Sequence, residues 1–302
     1  MKKYRIYQVN SFTQVPFAGN PAGVVSNADG LTEKQMQLIA RELNNSETAF
    51  IFQNEYDDPN YDVEVRFFTP TTEVPICGHA TIAAHFVRAL EHPVPSGNLS
   101  YQKTKAGILP VKITGTDGNI RITMTQGQIS IKPIAVAYQK MIVHALGLNQ
   151  DDRSDQCPIQ IVSTGHSKVI IGIKSKVTLN KLSPNLEALK QLSAKVGCNG
   201  FFVFTLDSDD PGILTHGRMF APAIGIAEDP VTGNANGPLG AYLVANNIVA
   251  TNGKEFSFTG KQGEAIGRPG TMDVKVTISN GSPVRVDITG SAVTVFVSEI
   301  EI

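Results

Sequence analysis

An internal repeat constrains the fold of this chain more than any other feature of its sequence. Arg66-Phe-Phe-Thr-Pro70 recurs as Arg218-Met-Phe-Ala-Pro222, and Pro75-Ile-Cys-Gly-His-Ala80 recurs as Pro230-Val-Thr-Gly-Asn-Ala235. The first pair is offset by 152 residues and the second by 155, each close to half of the 302 residues. Two motifs in the same order at nearly the same offset predict two similar domains, each with a glycine loop that leads into a helix.

The repeat also predicts where a ligand binds. Corresponding loops of pseudo-twofold halves face each other, and small ligands usually bind in the cleft between domains. We therefore expect a first domain at residues 1–118, with Glu47 and the Cys77-Gly-His-Ala-Thr81 loop, and a second domain at residues 119–302, with the Glu228-to-Ala235 loop. The last strands either stay in the second half or return to the first half.

Composition excludes several classes of function. The chain is long enough, at 41% hydrophobic residues, for two ordinary cores, and its formal net charge of −1 provides no basic surface for nucleic acid or an anionic membrane. The sequence has no apolar run near 18 residues, and Met1-Lys-Lys-Tyr leads directly into a strand-like segment, so we expect a cytoplasmic protein without a signal peptide. The three cysteines form no CxxC pair, which argues against a disulfide framework or a structural zinc site.

Hydrophobic periodicity predicts an α+β fold, with mostly antiparallel sheet around one central helix in each domain. Helices are predicted at 32–43, 80–90, 137–146, 185–196 and 236–246. Strands are predicted at 4–9, 24–25, 48–53, 62–68, 109–113, 120–125, 160–163, 168–173, 201–205 and 214–220, with a closing set over 273–297. Turns are predicted at 19–23 and 117–119.

The glycine loops are candidates for anion binding. In both halves an extended segment reaches a glycine, Gly78 or Gly233, and continues as a helix, where free N–H groups and the helix dipole favour a carboxylate or phosphate. The alternative is that each turn only caps its helix. The repeat favours anion binding, because the same arrangement occurs twice.

Four side chains near these loops could move protons, and each has a structural alternative. Glu47 precedes an apolar strand, where an acidic residue is usually a solvated edge. His79 lies in the first turn of a buried helix. Asp229 precedes Pro230, and Asp-Pro is ordinarily a turn signal. Cys77 at a helix start could act as a base, although lone cysteines are most often buried and inert.

The motifs of several other enzyme classes are missing from the sequence. His79 and His85 lie six residues apart, on different faces of a helix, and no HExxH occurs, so we expect no catalytic metal. Thr164-Gly-His-Ser-Lys168 is not a GxSxG elbow, and neither a Walker loop nor GxGxxG occurs. The sequence therefore lacks the motifs of a hydrolase, a kinase or a nicotinamide-dependent enzyme.

Five segments together resemble the PhzF-type phenazine-biosynthesis isomerases, over essentially the whole chain. They are Phe17-Ala-Gly-Asn-Pro-Ala-Gly-Val24, Asn45-Ser-Glu-Thr-Ala-Phe50, Ile76-Cys-Gly-His-Ala-Thr81, Glu228-Asp-Pro-Val-Thr-Gly233 and Gln262-Gly-Glu-Ala-Ile-Gly-Arg-Pro269. The resemblance implies the diaminopimelate epimerase fold, with two pseudo-symmetric β-barrel-like halves that each enclose a helix. It also implies a cofactor-independent isomerase, whose best-understood relatives move a proton between ring carbons of a dihydro-hydroxyanthranilate.

Site residues follow from the resemblance, position by position. Glu47 takes the place of the general acid/base, His79 and Asp229 lie in the pocket, and Gly78 and Gly233 contact the substrate carboxylate. Proton abstraction beside an unsaturated system needs a base shielded from bulk water, and hydrogen bonds from the pocket stabilise the charge that develops. The expected ligand is a small carboxylate. The resemblance also implies a homodimer, as is common in the family.

Two further asparagines are substrate-binding candidates through the resemblance, and one of them marks a departure from it. Asn20 lies in the first family segment, and Asn234 stands where the family often has Ser, so acceptance of a phenazine intermediate is open. A second departure concerns the two-cysteine racemases of this fold. Cys77 keeps the first position, but its partner is Thr232, which excludes the two-cysteine mechanism. The alternatives are an amino-acid racemase or epimerase using Glu47 and Cys77, and a non-catalytic binder of small acids.

Overall fold

The structure, a computed structural model, describes residues 1–54, 58–93, 95–115 and 118–302. They form two compact units, one of Met1–Thr125 with Thr289–Ile302 and the other of Gln126–Ile288. No helix in the described ranges is long and apolar enough to cross a membrane.

Seventeen strands and six α-helices are present in the described residues. The strands are β1 (Lys3–Ser11), β2 (Asn20–Val25), β3 (Glu47–Gln53), β4 (Val63–Phe68), β5 (Glu73–Val74), β6 (Asn98–Thr104), β7 (Gly107–Thr114), β8 (Arg121–Thr125), β9 (Ser130–Pro133), β10 (Gln160–Ser163), β11 (Lys168–Ile173), β12 (Phe201–Thr205), β13 (Thr215–Ala221), β14 (Ile226–Asp229), β15 (Glu255–Gln262), β16 (Gly270–Ser279) and β17 (Ser282–Glu301). The helices are α1 (Glu33–Leu43), α2 (Gly78–Glu91), α3 (Val136–Ala145), α4 (Lys176–Lys181), α5 (Leu186–Val196) and α6 (Gly233–Ala245), and 3₁₀ turns lie at Gln150–Asp152, Pro222–Ile224 and Glu264–Ile266.

Eight strands of the first unit close into a ring. Strand β1 pairs with β2, and the ring continues through β3, β4, β6, β7 and β8 to β17, which pairs with β1 again. The β2–β3 and β4–β6 pairs are parallel, and the β1–β2, β3–β4, β6–β7, β7–β8 and β1–β17 pairs are antiparallel. Because β8 is hydrogen bonded to β7, residues 121–125 belong to the first unit, past the expected boundary at 118/119.

Helix α2 is the central helix of this first unit. It packs against β1, β2, β3, β7 and β8, and its residues from His79 to Val87 are all buried. A helix that is apolar on every side needs such surroundings. Helix α1 has one buried face, formed by Met36, Ile39 and Ala40, and Thr32 caps it through a capping box with Gln35.

The second unit repeats this order of pairings. A parallel pair, β11–β12, is followed by the antiparallel β12–β13 and the short β14, and then by a parallel pair, β13–β15. The first unit has the same sequence of pairings in β2–β3, β3–β4, β4–β5 and β4–β6. The duplication seen in the sequence is therefore also a duplication of strand topology.

Helix α6 is the counterpart of α2 in the second unit. It packs against β10, β11, β15 and β16, and its residues from Ala235 to Val244 are buried. Gly237 permits a close approach, since a Cβ there would lie 1.8 Å from Oε1 of Gln126. A separate core cluster packs α3 and α5 against the alternate side chains Val169, Ile171 and Ile173 of β11.

The structure confirms most predicted elements and corrects one turn. Strands β10, β11 and β12 agree residue for residue with the prediction, because each is a short apolar run between turn residues. The turn predicted over 19–23 is wrong beyond Gly19, since Asn20 already pairs with Ser11 and β2 begins there. Asp117, in the turn predicted at 117–119, lies outside the described residues.

Candidate functional site

Two elements of the first unit bring Glu47 and His79 together. Glu47 is the first residue of β3, and His79 is the second residue of α2, which packs against β3. Oε2 of Glu47 lies 3.5 Å from Nε2 of His79, and the two side chains are 17% and 9% exposed. Glu47 is therefore a partly shielded carboxylate beside an imidazole, and not the fully solvated strand edge of the structural alternative.

Both ring nitrogens of His79 have neighbours. Nε2 also lies 3.2 Å from Oγ of Ser46, and Nδ1 lies 3.4 Å from Sγ of Cys77. The main-chain oxygen of His79 accepts a 2.7 Å hydrogen bond from Oγ of Ser11. These contacts fix the ring between a thiol on one side and a hydroxyl and a carboxylate on the other, which orients it for proton transfer.

The start of α2 is open to a ligand. Cys77 is the N-cap residue, but its side chain does not cap the helix, so the first N–H groups are not satisfied in that way. At Gly78 an added Cβ would meet no atom within 4 Å, and the glycine is not at positive φ. Packing does not require this glycine, so the space in front of it remains available for a substrate group.

Ser11 connects Asn20 to this helix start. It opens β2 directly opposite Ser11, which bonds to the main-chain oxygen of His79. The side chain of Asn20 is buried, at 1% exposure. The first unit thus holds four of the predicted site residues: Asn20, Glu47, Gly78 and His79.

Two clusters have the donor atoms that metal ions use. In the first unit, one donor atom each of Glu47, Cys77 and His79 lie within 4.8 Å of one another. The second unit has a similar group of Asp210, His216 and Glu264. There the ammonium group of Lys261 contacts both acids, so the carboxylates already have a cation.

The 4.8 Å spacing bears on the racemase alternative. Two proton carriers on opposite faces of one carbon, each about 3 to 3.5 Å from it, are about 6 to 7 Å apart. Glu47 and Cys77 are closer than that, and both contact the ring of His79. This geometry favours one hydrogen-bonded group of three over two opposed bases.

In the second unit, Asp229 is tied to the N-cap residue of α6. It ends β14, and one of its carboxylate oxygens accepts a short hydrogen bond from Oγ1 of Thr232. The side chain of Thr232 makes no capping bond to the helix. Asp229 is thus more than a turn residue, because its carboxylate lies at the uncapped start of the central helix.

One buried amide, Gln262, holds this loop together. Its Nε2 donates to the main-chain oxygen of Asp229 at 2.7 Å and to Oγ1 of Thr232 at 3.1 Å. Its Oε1 accepts from the main-chain N–H of Thr232 and from Nδ2 of Asn236, at 3.1 Å and 3.0 Å. A fully bonded amide at 1% exposure fixes the loop conformation before any ligand binds.

Gly233 and Asn234 form the first turn of α6. Nε2 of Gln126 donates to the main-chain oxygen of Gly233 at 2.8 Å and lies 3.4 Å from Oδ1 of Asn234. Asn234 has a non-helical ψ of 15°, so the first turn is irregular. The second unit therefore holds the remaining predicted site residues, Asp229, Gly233 and Asn234, on one loop.

An arginine–glutamate pair braces the strand before each loop and accounts for the repeated arginine. Arg66 on β4 makes two bonds to Glu73 on β5, at 2.8 Å and 2.7 Å. Arg218 on β13 makes two bonds to Glu228 on β14, at 2.9 Å and 2.7 Å. Paired bonds of this kind fix geometry as well as adding energy.

Sequence reasoning missed three residues of these sites. Ser46 is adjacent to Glu47 and could have been found from that position. Gln262 is a buried amide at the end of β15. Gln126 is distant from α6 in the sequence, and only the folded chain brings it into contact with the start of that helix.

Comparisons with known proteins show the family to which this chain belongs. A family model described as "Phenazine biosynthesis-like protein" matches residues 9–298. An "Uncharacterized isomerase" of Clostridium acetobutylicum is 56% identical over 301 residues, 99% of each chain. The trans-2,3-dihydro-3-hydroxyanthranilate isomerase of Pseudomonas fluorescens is 30% identical over 286 residues, 95% of each chain.

A solved structure gives the same result for the fold. The crystal structure of a Bacillus anthracis phenazine biosynthesis protein of the PhzF family matches with a TM-score of 0.89 and 32% identity, over 100% of both chains. The matches confirm the resemblance found in the sequence and the α+β, diaminopimelate epimerase-like fold class.

Proposed function

The chain belongs to the phenazine biosynthesis-like protein family and is an isomerase, and from this premise we propose that it moves a proton on a small unsaturated carboxylate by single-glutamate acid/base catalysis. Glu47 is the acid/base of the proposal. The substrate carries a carboxylate and an amino group, as the name of the Pseudomonas fluorescens relative states for its own substrate.

The observation that carries the proposal is the 3.5 Å contact between Oε2 of Glu47 and Nε2 of His79. It puts a proton acceptor and a second ionisable group at the start of a buried helix, next to the open space at Gly78. General acid/base catalysis needs such a positioned carboxylate within reach of the substrate.

The proposed reaction has two proton transfers by the same group. The Glu47 carboxylate removes a proton from a tetrahedral carbon beside the unsaturated system, and the electron pair moves into the conjugated system. Protonated Glu47 then returns the proton to a distal carbon, which regenerates the carboxylate. Since nothing is oxidised or reduced, the scheme balances without a cofactor.

The other site residues serve to bind the substrate in this scheme. His79 holds Glu47 beside the reacting carbon, and Ser46 and Cys77 hold the ring of His79 in turn. In the first unit, Asn20 binds a polar substituent of the substrate, and the N–H groups that begin at Gly78 bind its carboxylate. Asp229, Gly233 and Asn234 of the second unit also belong to the proposal, as residues able to bind a small carboxylate. A homodimer and a cytoplasmic location also belong to the proposal.

A racemase that uses Glu47 and Cys77 is the second candidate, since Cys77 lies 3.4 Å from the ring of His79. The short spacing of the three groups argues against it. A racemase also needs a stereocentre that both carriers reach, whereas the isomerase needs only one carrier.

Turnover of substrate tests the proposed function. trans-2,3-dihydro-3-hydroxyanthranilate and a panel of small unsaturated amino acids would be incubated with the wild type, Glu47→Gln and Glu64→Gln. Glu64 lies in the same unit but pairs with Lys103 at the surface, so Glu64→Gln is a matched control. We expect Glu47→Gln to lose at least about 10³-fold in rate, as expected when the acid/base group is removed, while Glu64→Gln retains full rate. Equal rates for all three proteins would contradict the proposal.

A further inference from the structure

A lysine is buried in the second unit without a close anionic partner. Lys168 opens β11, and its side chain is only 4% exposed. Nζ has one long contact, 3.5 Å, to the main-chain oxygen of the adjacent Ser167. Among the described residues it forms no ion pair within 4 Å, so most of its donor capacity is unused. A buried ammonium group is costly, and this cost usually has a functional reason.

The direction of this side chain follows from the strand. Successive side chains of a strand point to opposite faces, and Val169, Ile171 and Ile173 pack in the cluster with α3 and α5. Lys168 therefore points to the other face of β11, against which α6 packs.

Contacts along the neighbouring strand show which end of α6 is near Lys168. At one end of β10, Gln160 bonds to Asn246, just after the helix. Beyond the other end, Oγ1 of Thr164 donates to Gln126, which donates in turn to the main-chain oxygen of Gly233 at the start of α6. Lys168 is the first residue of β11, which runs antiparallel to β10, so it lies toward the turn between these strands, on the side of Thr164 and the start of the helix.

Asp229, near the start of α6, is one of the two groups whose charge acts on Lys168. Burial lowers the pKa of Lys168 to about 8, while the nearby Cys198 and Asp229 act to raise it. Asp229 contacts the N-cap residue Thr232. His166, on the same loop, is also half-buried, and both its burial and the charge of Lys168 lower its pKa. The ammonium group thus lies within the electrostatic range of the α6 start.

We propose that Lys168 and the first turn of α6 form a carboxylate-binding subsite in the second unit. The helix is 13 residues long, its N-cap side chain makes no capping bond, and its dipole adds positive potential to that of the ammonium group. Lys168 supplies the full positive charge, and the helix N–H groups supply direction. The inference rests on the proposed function, which makes a small carboxylate the expected ligand.

Binding of two isosteric probes tests the subsite. Anthranilate carries a carboxylate, and 2-aminobenzamide has a neutral amide in its place. Titration calorimetry at pH 7 would compare the wild type, Lys168→Met and Lys168→Arg, with Lys174→Met, an exposed lysine after the same strand, as control. We expect Lys168→Met to weaken anthranilate binding by at least about tenfold, which is about 1.4 kcal/mol, and to leave 2-aminobenzamide unchanged. Lys168→Arg and Lys174→Met keep anthranilate affinity within about threefold.

The pH dependence gives a second readout. The ammonium form of Lys168 is present below pH 8 and is lost above it. Anthranilate affinity of the wild type therefore falls as the pH rises through about 8, whereas Lys168→Arg, which keeps its charge, shows no such fall. The affinity for 2-aminobenzamide stays constant over the same range in both proteins.

Several results would overturn the inference. They are unchanged anthranilate affinity in Lys168→Met, an equal loss for both probes, or no wild-type binding of anthranilate at millimolar concentration. An equal loss means that Lys168 only supports the fold, and thermal unfolding of each variant would show this. The proposed function fails separately, because it depends on turnover by Glu47→Gln and not on binding by Lys168 variants.

Discussion

The ring of His79 joins the two reactive groups of the first unit. Glu47 lies near Nε2 and Cys77 near Nδ1, at 3.5 Å and 3.4 Å. Because Cys77 and Glu47 contact different nitrogens of the same ring, each can be substituted without removing the other, and their roles can be separated. In the single-glutamate scheme Cys77 carries no substrate proton.

Cys77→Ser should therefore keep most of the activity. The hydroxyl group remains able to contact Nδ1 of His79, so the ring keeps its orientation. We expect a rate within about tenfold of the wild type, which is about 1.4 kcal/mol in the barrier, and a loss of about 1 kcal/mol in stability from the buried hydroxyl. Turnover and urea unfolding would measure both. A rate loss of several orders of magnitude, or inactivation by iodoacetamide that substrate prevents, would support the racemase mechanism instead.

At the level of elements, the repeated arginines hold the strands that lead to the two helix starts. Their surroundings differ, although both make two bonds to a glutamate. Nη1 of Arg218 also donates to the main-chain oxygens of Leu179 and Leu182. Glu73 in the first unit keeps a second cation, Lys105. The two braces therefore differ in how well they tolerate loss of the arginine.

Arg218→Leu should destabilise the protein more than Arg66→Leu. It leaves Glu228, whose side chain is 12% exposed, without a cation among the described residues. Removing one partner of a buried pair costs about 3 to 5 kcal/mol, whereas Glu73 stays paired with Lys105 after Arg66→Leu. Urea unfolding of the two variants would give the difference. The account of the braces is wrong if Arg66→Leu is the more destabilised.

The same elements show what the sequence could predict. Apolar runs predicted β10, β11 and β12, and helical spacing predicted α2, because hydrophobic periodicity is local. The internal repeat predicted α6. The two-residue β5 and the four-residue β14 were missed, since segments this short show no periodicity. Motifs led to Glu47 and His79, but the role of Gln262 follows only from four contacts that the fold creates.

For the whole molecule, duplication gives each unit a central helix whose N-cap side chain does not cap it. The first unit places a glutamate, a histidine and a cysteine at its helix start, and the second places an aspartate, a buried glutamine and, in our inference, a lysine. The units have therefore diverged in chemistry while keeping one topology. In the proposal, proton transfer belongs to the first unit.

The most direct test of this account is proton transfer in heavy water. Product formed by the wild type, Glu47→Gln and the control Glu64→Gln would be examined by NMR for deuterium at the carbon that receives the proton. We expect the wild type and Glu64→Gln to form product, and Glu47→Gln to form none. The product carries deuterium at that one carbon, to the extent that protonated Glu47 exchanges with the solvent before it returns the proton. Deuterium incorporation by Glu47→Gln at the wild-type rate would contradict the assignment of Glu47 as the acid/base.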